Sequence, residues 1–589
     1  MTGQCNSRTC ALLSGREVAG SIGSRPQHGA MKIGAMRNRR MISVGIKLSH
    51  DGGVSLFEDN RLVRCHEMEK LDNNPRYSEF RLTRDELSGL LAGVGCEWGE
   101  VDALVIDGWH TTPFAVTLGG EVVPFEVAEY GHLYDVRANP LARKAAFSSY
   151  FGREYTSYHH IAGHIFSSYC SSPMAQRGEP SYVLSWDGMS FPQLFHYGRD
   201  GKLECLGYLF PMSGFIYTYF AVNFEPYRDY RPNDLSLAGK YMAYIAKGRR
   251  QPSLLAGFHA IFDRLVAGNG PVTTHEQMLE FERALLLKLV FRAKASGFDD
   301  QDVLTTFHCF LEEVLVRTLT ARLDELDKGV RNLCYAGGCA LNIKWNSAIR
   351  RSCGLAELWI PPFPNDAGSA IGTVCTELVA KHGYDSITWD VYSGPSIRDT
   401  AWESPDWSAR DCTLAELARL IHESQQPVIV LNGRAELGPR ALGNRSIMAA
   451  PTSPEMKTLL NRIKRRESYR PVAPICAEED APRFFDPGTP DPYMLYDHRV
   501  RPDAVGRLPA VCHLDGTARL QTVGERENPR IHELLRHYER LSGVPVLCNT
   551  SANDLGSGFF PDVRSVAEWG HVNHIWSDGR LHTRTTDAE

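Results

Sequence analysis

Three things are scarce in this 589-residue chain, and each absence narrows what it does. Its 15 cysteines include no C-x-x-C pair and no compact regular framework. That argues against zinc-ribbon patterns and a disulfide-stapled secreted domain, and fits reduced thiols in a cytoplasmic protein. No apolar run approaches the length of a membrane span, and the N-terminus has no signal-type apolar core, so no membrane partner is expected. Positive charge is not in excess either: 64 Lys and Arg against 70 Asp and Glu leave a net charge of −6. The general electrostatic reason to bind nucleic acid is missing, which points to small ligands.

What is present comes in blocks. A chain that is 43% hydrophobic and 23% charged over this length buries more than one core, so at least two domains are expected. Residues 1–40, rich in Gly, Ser and Arg without an apolar period, read as a disordered leader, or as the product of an upstream start codon. From Met41, "MISVGIKLSHDGGVSLFEDNRLVRC" reads strand, turn, strand, turn, strand, with breaks at His50-Asp51-Gly52-Gly53 and Glu58-Asp59-Asn60. Further strands are expected at "YVLSWDGMS", "NLCYAGG" and "LWIPPFPNDAGSAIG". An amphipathic helix precedes the second of these, with Val303, Phe307, Phe310, Leu311, Val314 and Leu315 on one face. Three strand ends therefore carry an acid or paired glycines, and ligands gather at such carboxyl ends in α/β sheets, so Asp187, Gly337-Gly338 and Asp366 are expected around one cleft. A proline-bearing connection near 386–406 leads to a second set of elements, from "PVIVL" to "VPVLCNTSAN", which divides the chain into 41–390 and 391–589.

In "YHHIAGHIFSSY", His160 and His164 stand four apart, so a helix puts both imidazoles on one face. The zinc-protease pattern is excluded, because position 161 is Ile where that mechanism needs Glu. Spacing alone fits a histidine pair without a ligand equally well. With Asp187 and Asp366 at strand ends, a His₂Asp₂ set would suit a divalent ion such as iron, zinc or manganese.

The motifs "SHDGG", "HHIAGH", "LAGKYMA", "GGCALN", "PNDAGSAIGT", "ELGPRALGNRSI", "NRIKRRESYRP", "HLDGTARLQTV" and "NTSAN", in this order over most of 41–575, resemble the O-carbamoyltransferases of antibiotic and nodulation-factor biosynthesis. The resemblance implies an α/β protein: an actin-like ATPase-type (ASKHA) N-terminal domain of the threonylcarbamoyl-transferase kind, plus a YrdC-like C-terminal domain. It implies that His160, His164, Asp187 and Asp366 bind Fe2+, that His50 and Asp51 are catalytic, and that Gly337, Gly338 and Asn342 contact nucleotide. It also implies that Arg440, Arg445, Lys464, Arg466, Arg470, Arg519, Ser551 and Asn553 bind carbamoyl phosphate and ATP with Mg2+. Guanidinium forks suit phosphate oxygens.

Lys240 lies in a familiar "GK-x-M" segment but equally fits a solvated lysine. The family's acidic "EEER"-type stretch is "EMEK" here, followed by Arg76 as the expected basic residue, and "GSGFFP" replaces the usual "GEP" after "NTSAN". The implied activity is transfer of a carbamoyl group, through carbamoyl-adenylate, to a hydroxyl of a small natural product. A tRNA threonylcarbamoyl transferase and a non-catalytic nucleotide-binding protein are the alternatives, and an oligomer is left open.

Overall fold

The computed structural model describes residues 40–108, 114–118, 121–128, 140–142, 144–150, 152–270, 272, 274–398 and 402–585. The expected disordered leader lies, save for Arg40, outside the described residues.

The chain is mixed α/β, and its N-terminal half contains one topology twice. In the first sheet, Ile42–Lys47, Gly53–Glu58 and Arg61–Glu67 form an antiparallel meander; Ile42–Lys47 also pairs parallel with Ala103–Asp107, which pairs parallel with Arg153–Tyr158. In the second, Ser181–Ser185, Gln193–Tyr197 and Leu203–Tyr208 form the meander. There Ser181–Ser185 pairs parallel with Asn332–Ala336, and that strand with Glu357–Trp359. The shared order, third-second-first-fourth-fifth, is the duplicated arrangement of an actin-like fold; the first sheet adds the edge strand Lys144–Tyr150. The lead strands are buried almost throughout, as strands covered on both faces must be.

Between the two sheets lie the helices His160–Cys170 and Ser369–Glu377. Their Ile161, Ile165, Ile371 and Val374 share one core with Val105 of the first sheet and with Val183 and Cys334 of the second. Glycine allows the two helices to approach: a Cβ on Gly372 would stand 2.0 Å from the backbone oxygen of Gly163. Gly163 separates the two histidines of "HHIAGH", so helix contact and histidine placement are set by the same residues. The expected amphipathic segment lies within the helix Asp300–Leu326, with all six of its apolar residues buried against the second sheet and the helices Pro252–Asn269 and His275–Lys294.

The C-terminal half holds an eight-stranded mixed sheet. At its centre, Val428–Leu431, Arg445–Ala449 and Val546–Ser551 run antiparallel, and the last pairs with Ala473–Ala477. Helices Leu414–Ser424 and Pro529–Ser542 contribute to its core. Polar clasps join the halves. Lys70 Nζ donates to Glu67 Oε1 at 2.8 Å and to the carbonyls of Glu436 and Gly438 at 2.6 and 2.7 Å, all buried. Lys344 Nζ reaches Asp497 at 3.1 Å and Asp515 at 2.7 Å. Leu495 and Tyr496 extend the hydrophobic core of the second N-terminal sheet. Among the described residues, no helix is long and apolar enough to cross a membrane.

Candidate active site

Parallel strands that share a direction bring their C-terminal ends to one place. Strand Ile42–Lys47 ends on Lys47, Ala103–Asp107 ends on Asp107, Asp187 follows Ser181–Ser185 and Asp366 opens a short turn before Ser369–Glu377. Ligand atoms of His160, His164, Asp187 and Asp366 all lie within 4.8 Å of one another. His160 Nε2 is 3.2 Å and His164 Nε2 3.4 Å from the same oxygen, Asp366 Oδ1. His164 Nε2 is buried and makes no hydrogen bond among the described residues, and an imidazole nitrogen so placed suits a cation. Two imidazoles and two carboxylates, with that nitrogen among them, fit a divalent ion.

Charge reinforces the cluster. Burial acts against the Asp366 carboxylate, but Lys47, His160 and His50 hold it well below the usual carboxylate range. Burial likewise opposes a charged His160, and Asp107 and Asp366 overcome it, raising the imidazole to about 10. His50 stands at the edge, its side chain 42% exposed, with Nδ1 3.1 Å from Asp51 Oδ2 and Nε2 3.6 Å from Asp366 Oδ2. Its pKa is raised, because Asp366 and Asp51 outweigh burial.

The paired glycines close the same site. Gly337 has φ +92, and a Cβ there would meet the Trp186 carbonyl at 2.3 Å; Gly338 N donates to Asp187 Oδ1 at 2.6 Å. Asn342 caps the helix Ile343–Ser352, its Oδ1 accepting from Lys344 N and Trp345 N. Lys47 and Asp107 are absent from the set expected from sequence. Each is a charged residue ending an apolar strand, the same signal that picked out Asp187.

A second cluster forms at the seam between the halves. Burial, then Arg519, Arg76 and Arg470, drive the Arg440 guanidinium well below its ordinary pKa. Burial, Arg470 and Arg466 bring Arg519 down to about 10, and burial with Arg470 brings Arg466 to about 9. The Nε atoms of Arg440 and Arg519 are buried without hydrogen-bond partners among the described residues. Cations that depress one another and leave donors unused are the chemistry an anion would satisfy. Lys464 is lowered by burial, Arg466 and Arg76, and donates to the carbonyls of Ser551 and Asn553. Ser551 Oγ in turn donates to Asn553 Oδ1 at 2.5 Å.

Arg76 enters from the N-terminal half: its N–H donates to Gly556 O at 2.8 Å, so the unusual "GSGFFP" loop packs on the segment after "EMEK". Arg445 stands apart. Its guanidinium donates to four carbonyls, those of Asn432, Asn444, Pro395 and Gly433. Lys240 also lies elsewhere, over the ring of Tyr230 at 4.5 Å.

The arrangement defines a class: a two-part α/β protein with a buried His/Asp cluster that could hold a metal ion in an actin-like half and a cluster of buried arginines where the second half meets it. Comparison with known proteins makes the assignment specific. Residues 42–375 match the carbamoyltransferase N-terminus family and residues 418–572 the carbamoyltransferase C-terminus family. The chain is 44% identical to Nodulation protein U of Rhizobium tropici, over 92% of this chain and 96% of that protein. It is 32% identical to the 3'-hydroxymethylcephem-O-carbamoyltransferase of Streptomyces clavuligerus, over 91% and 98% respectively. Among solved structures, the ADPNP-bound activator of 2-hydroxyisocaproyl-CoA dehydratase from Clostridium difficile overlaps 58% of this chain and 97% of its own, at 12% identity and a TM-score of 0.30. The protein belongs to the carbamoyltransferase family, a family of enzymes.

Proposed function

We propose that the protein is a two-centre O-carbamoyltransferase that uses ATP and carbamoyl phosphate. At the seam, water hydrolyses carbamoyl phosphate to carbamate and phosphate. A carbamate oxygen then attacks the α-phosphorus of ATP, forming carbamoyl-adenylate and expelling pyrophosphate. Arg440, Arg466, Arg470, Arg519 and Lys464 bind the phosphate groups of both substrates, with Mg2+ accompanying ATP, and Ser551 and Asn553 orient Lys464. Arg445 ties together the strand ends beneath them.

In the N-terminal centre, the acceptor hydroxyl attacks the carbamoyl carbon, the bond from that carbon to the AMP oxygen breaks, and AMP leaves with the electron pair. Asp51 holds the His50 ring through Nδ1, and His50 takes the hydroxyl proton. The turn Gly337-Gly338 lets the adenylate approach the backbone, while Asn342 braces the helix behind it. His160, His164, Asp187 and Asp366 would hold a divalent ion, Fe2+ in this reading, which supplies Lewis-acid polarisation when bound. Enclosure at the seam limits loss of the hydrolysis-prone intermediate to water.

The observation that carries the proposal is the set of mutually repelling, incompletely bonded cations at the seam of a carbamoyltransferase-family chain. The cephem relative is named for a hydroxymethyl acceptor, which supports an alcohol acceptor here. The test incubates the protein with ATP, carbamoyl phosphate, Fe2+ and hydroxylated natural products, following phosphate, pyrophosphate, AMP and product mass. Equal phosphate, pyrophosphate and AMP, and a product heavier by one carbamoyl group, are expected. Absence of carbamoyl-phosphate-dependent pyrophosphate release refutes the proposal.

A further inference from the structure

Behind the cation centre lies a buried ion pair that takes no part in the mechanism above. Asp107 Oδ2 lies 2.8 Å from His160 Nδ1 and 3.0 Å from Lys47 Nζ; Lys47 Nζ is also 3.0 Å from Asp366 Oδ2. All of these side chains are nearly inaccessible, Lys47 at 2% and Asp107 at 1%. From the structure we infer that Lys47 and Asp107 are positioning residues that decide which atoms of His160 and Asp366 face the cation.

Asp107 accepts the Nδ1 proton of His160, so the proton a cation displaces on binding is the one on Nε2, the atom beside Asp366 Oδ1. Lys47 engages Asp366 Oδ2 and leaves Oδ1, the oxygen shared by both histidines, as the inward donor. Charge balances in the same arrangement. Two ligand carboxylates neutralise a divalent ion, and the ammonium of Lys47 neutralises the extra carboxylate of Asp107. Leaving that carboxylate uncompensated in a buried site would be costly. Carboxylate partners of this kind orient metal-binding histidines, and their loss typically weakens metal affinity by about 10–100-fold.

The inference rests on the cation-site reading, so the experiment separates the two. Co2+ is titrated into full-length wild type, Asp107→Asn and Lys47→Gln, with chelator competition for affinity, visible absorption for coordination and thermal unfolding for integrity. Expected are a 10–100-fold loss of Co2+ affinity in Asp107→Asn, a changed visible spectrum in Lys47→Gln, and folded protein in at least one variant. Wild-type affinity and spectrum in both variants overturn the inference and leave the cation site standing. No Co2+ binding by wild type overturns both. If neither variant folds even with saturating Co2+, the pair is structural and the inference fails.

Discussion

Arg519→Met should make the protein more stable and less active at once. Burial with Arg470 and Arg466 pushes Arg519 down to about 10. Against an ordinary guanidinium value of roughly 12.5, the drop corresponds to at most about 3 kcal/mol of unfavourable free energy at pH 7. The sign follows from linkage: a cation whose folded pKa is lowered destabilises the fold at every pH below that value, and the penalty fades only as pH rises through about 10. Partial solvent access reduces the figure, and methionine fills most of the vacated volume with apolar surface. For a domain of this size the melting midpoint is expected to rise by roughly 3–6 °C. Phosphate and pyrophosphate should stabilise wild type by mass action and the variant much less. Scanning calorimetry of both proteins, with and without 10 mM pyrophosphate (about that concentration suffices for a site of ordinary affinity), is paired with pyrophosphate release from ATP and carbamoyl phosphate. A lower midpoint in the variant, or unchanged pyrophosphate release, refutes the reasoning that these cations are held in strain for an anion.

Three further outcomes are expected. His164→Ala removes the buried Nε2, and should lose bound metal and carbamoyl transfer while keeping ATP- and carbamoyl-phosphate-dependent pyrophosphate release; metal analysis and product mass check it. Arg445→Ala strands four carbonyls and should cost about 3 kcal/mol or more, whereas Arg470→Ala should abolish pyrophosphate release with little change in stability; urea unfolding separates the two. Lys344→Met breaks the clasp to Asp497 and Asp515, at a cost of about 2 kcal/mol for these partly buried partners. Against burial, a hydrogen bond from His513 and then Lys344 hold the Asp515 carboxyl below its usual range, so the stability Asp515 contributes is present above pH 4 or so and lost as pH falls further. The variant should show a shallower acid-side loss in a pH series of unfolding curves.

Much of this protein can be read along the chain, for a local reason. The strands that flank His50-Asp51 follow from apolar runs broken by turn residues, and the placing of His160 and His164 on one helix face follows from helical period alone. Asp187 and Asp366 could be paired with those histidines because parallel strands align their carboxyl ends, a rule independent of this sequence. Composition likewise excluded a strongly basic nucleic-acid binder. What no local pattern carries is the partner of a buried charge. Lys47 and Asp107 sit 60 residues apart and look like ordinary strand ends until the first and fourth strands pair (47 and 107, difference 60). Arg440, Arg445 and Arg519 look alike as arginines after turn or apolar residues. Tertiary contacts separate them: Arg445 is saturated by four carbonyls, while Arg440 and Arg519 meet mainly other cations. The meeting of Arg76 with that cluster depends on the "GSGFFP" loop packing across the seam. Periodicity and turn chemistry act between neighbours in sequence, so they are written there. The balance of burial and charge that makes one arginine a strut and another an anion donor is a sum over groups brought together only by folding.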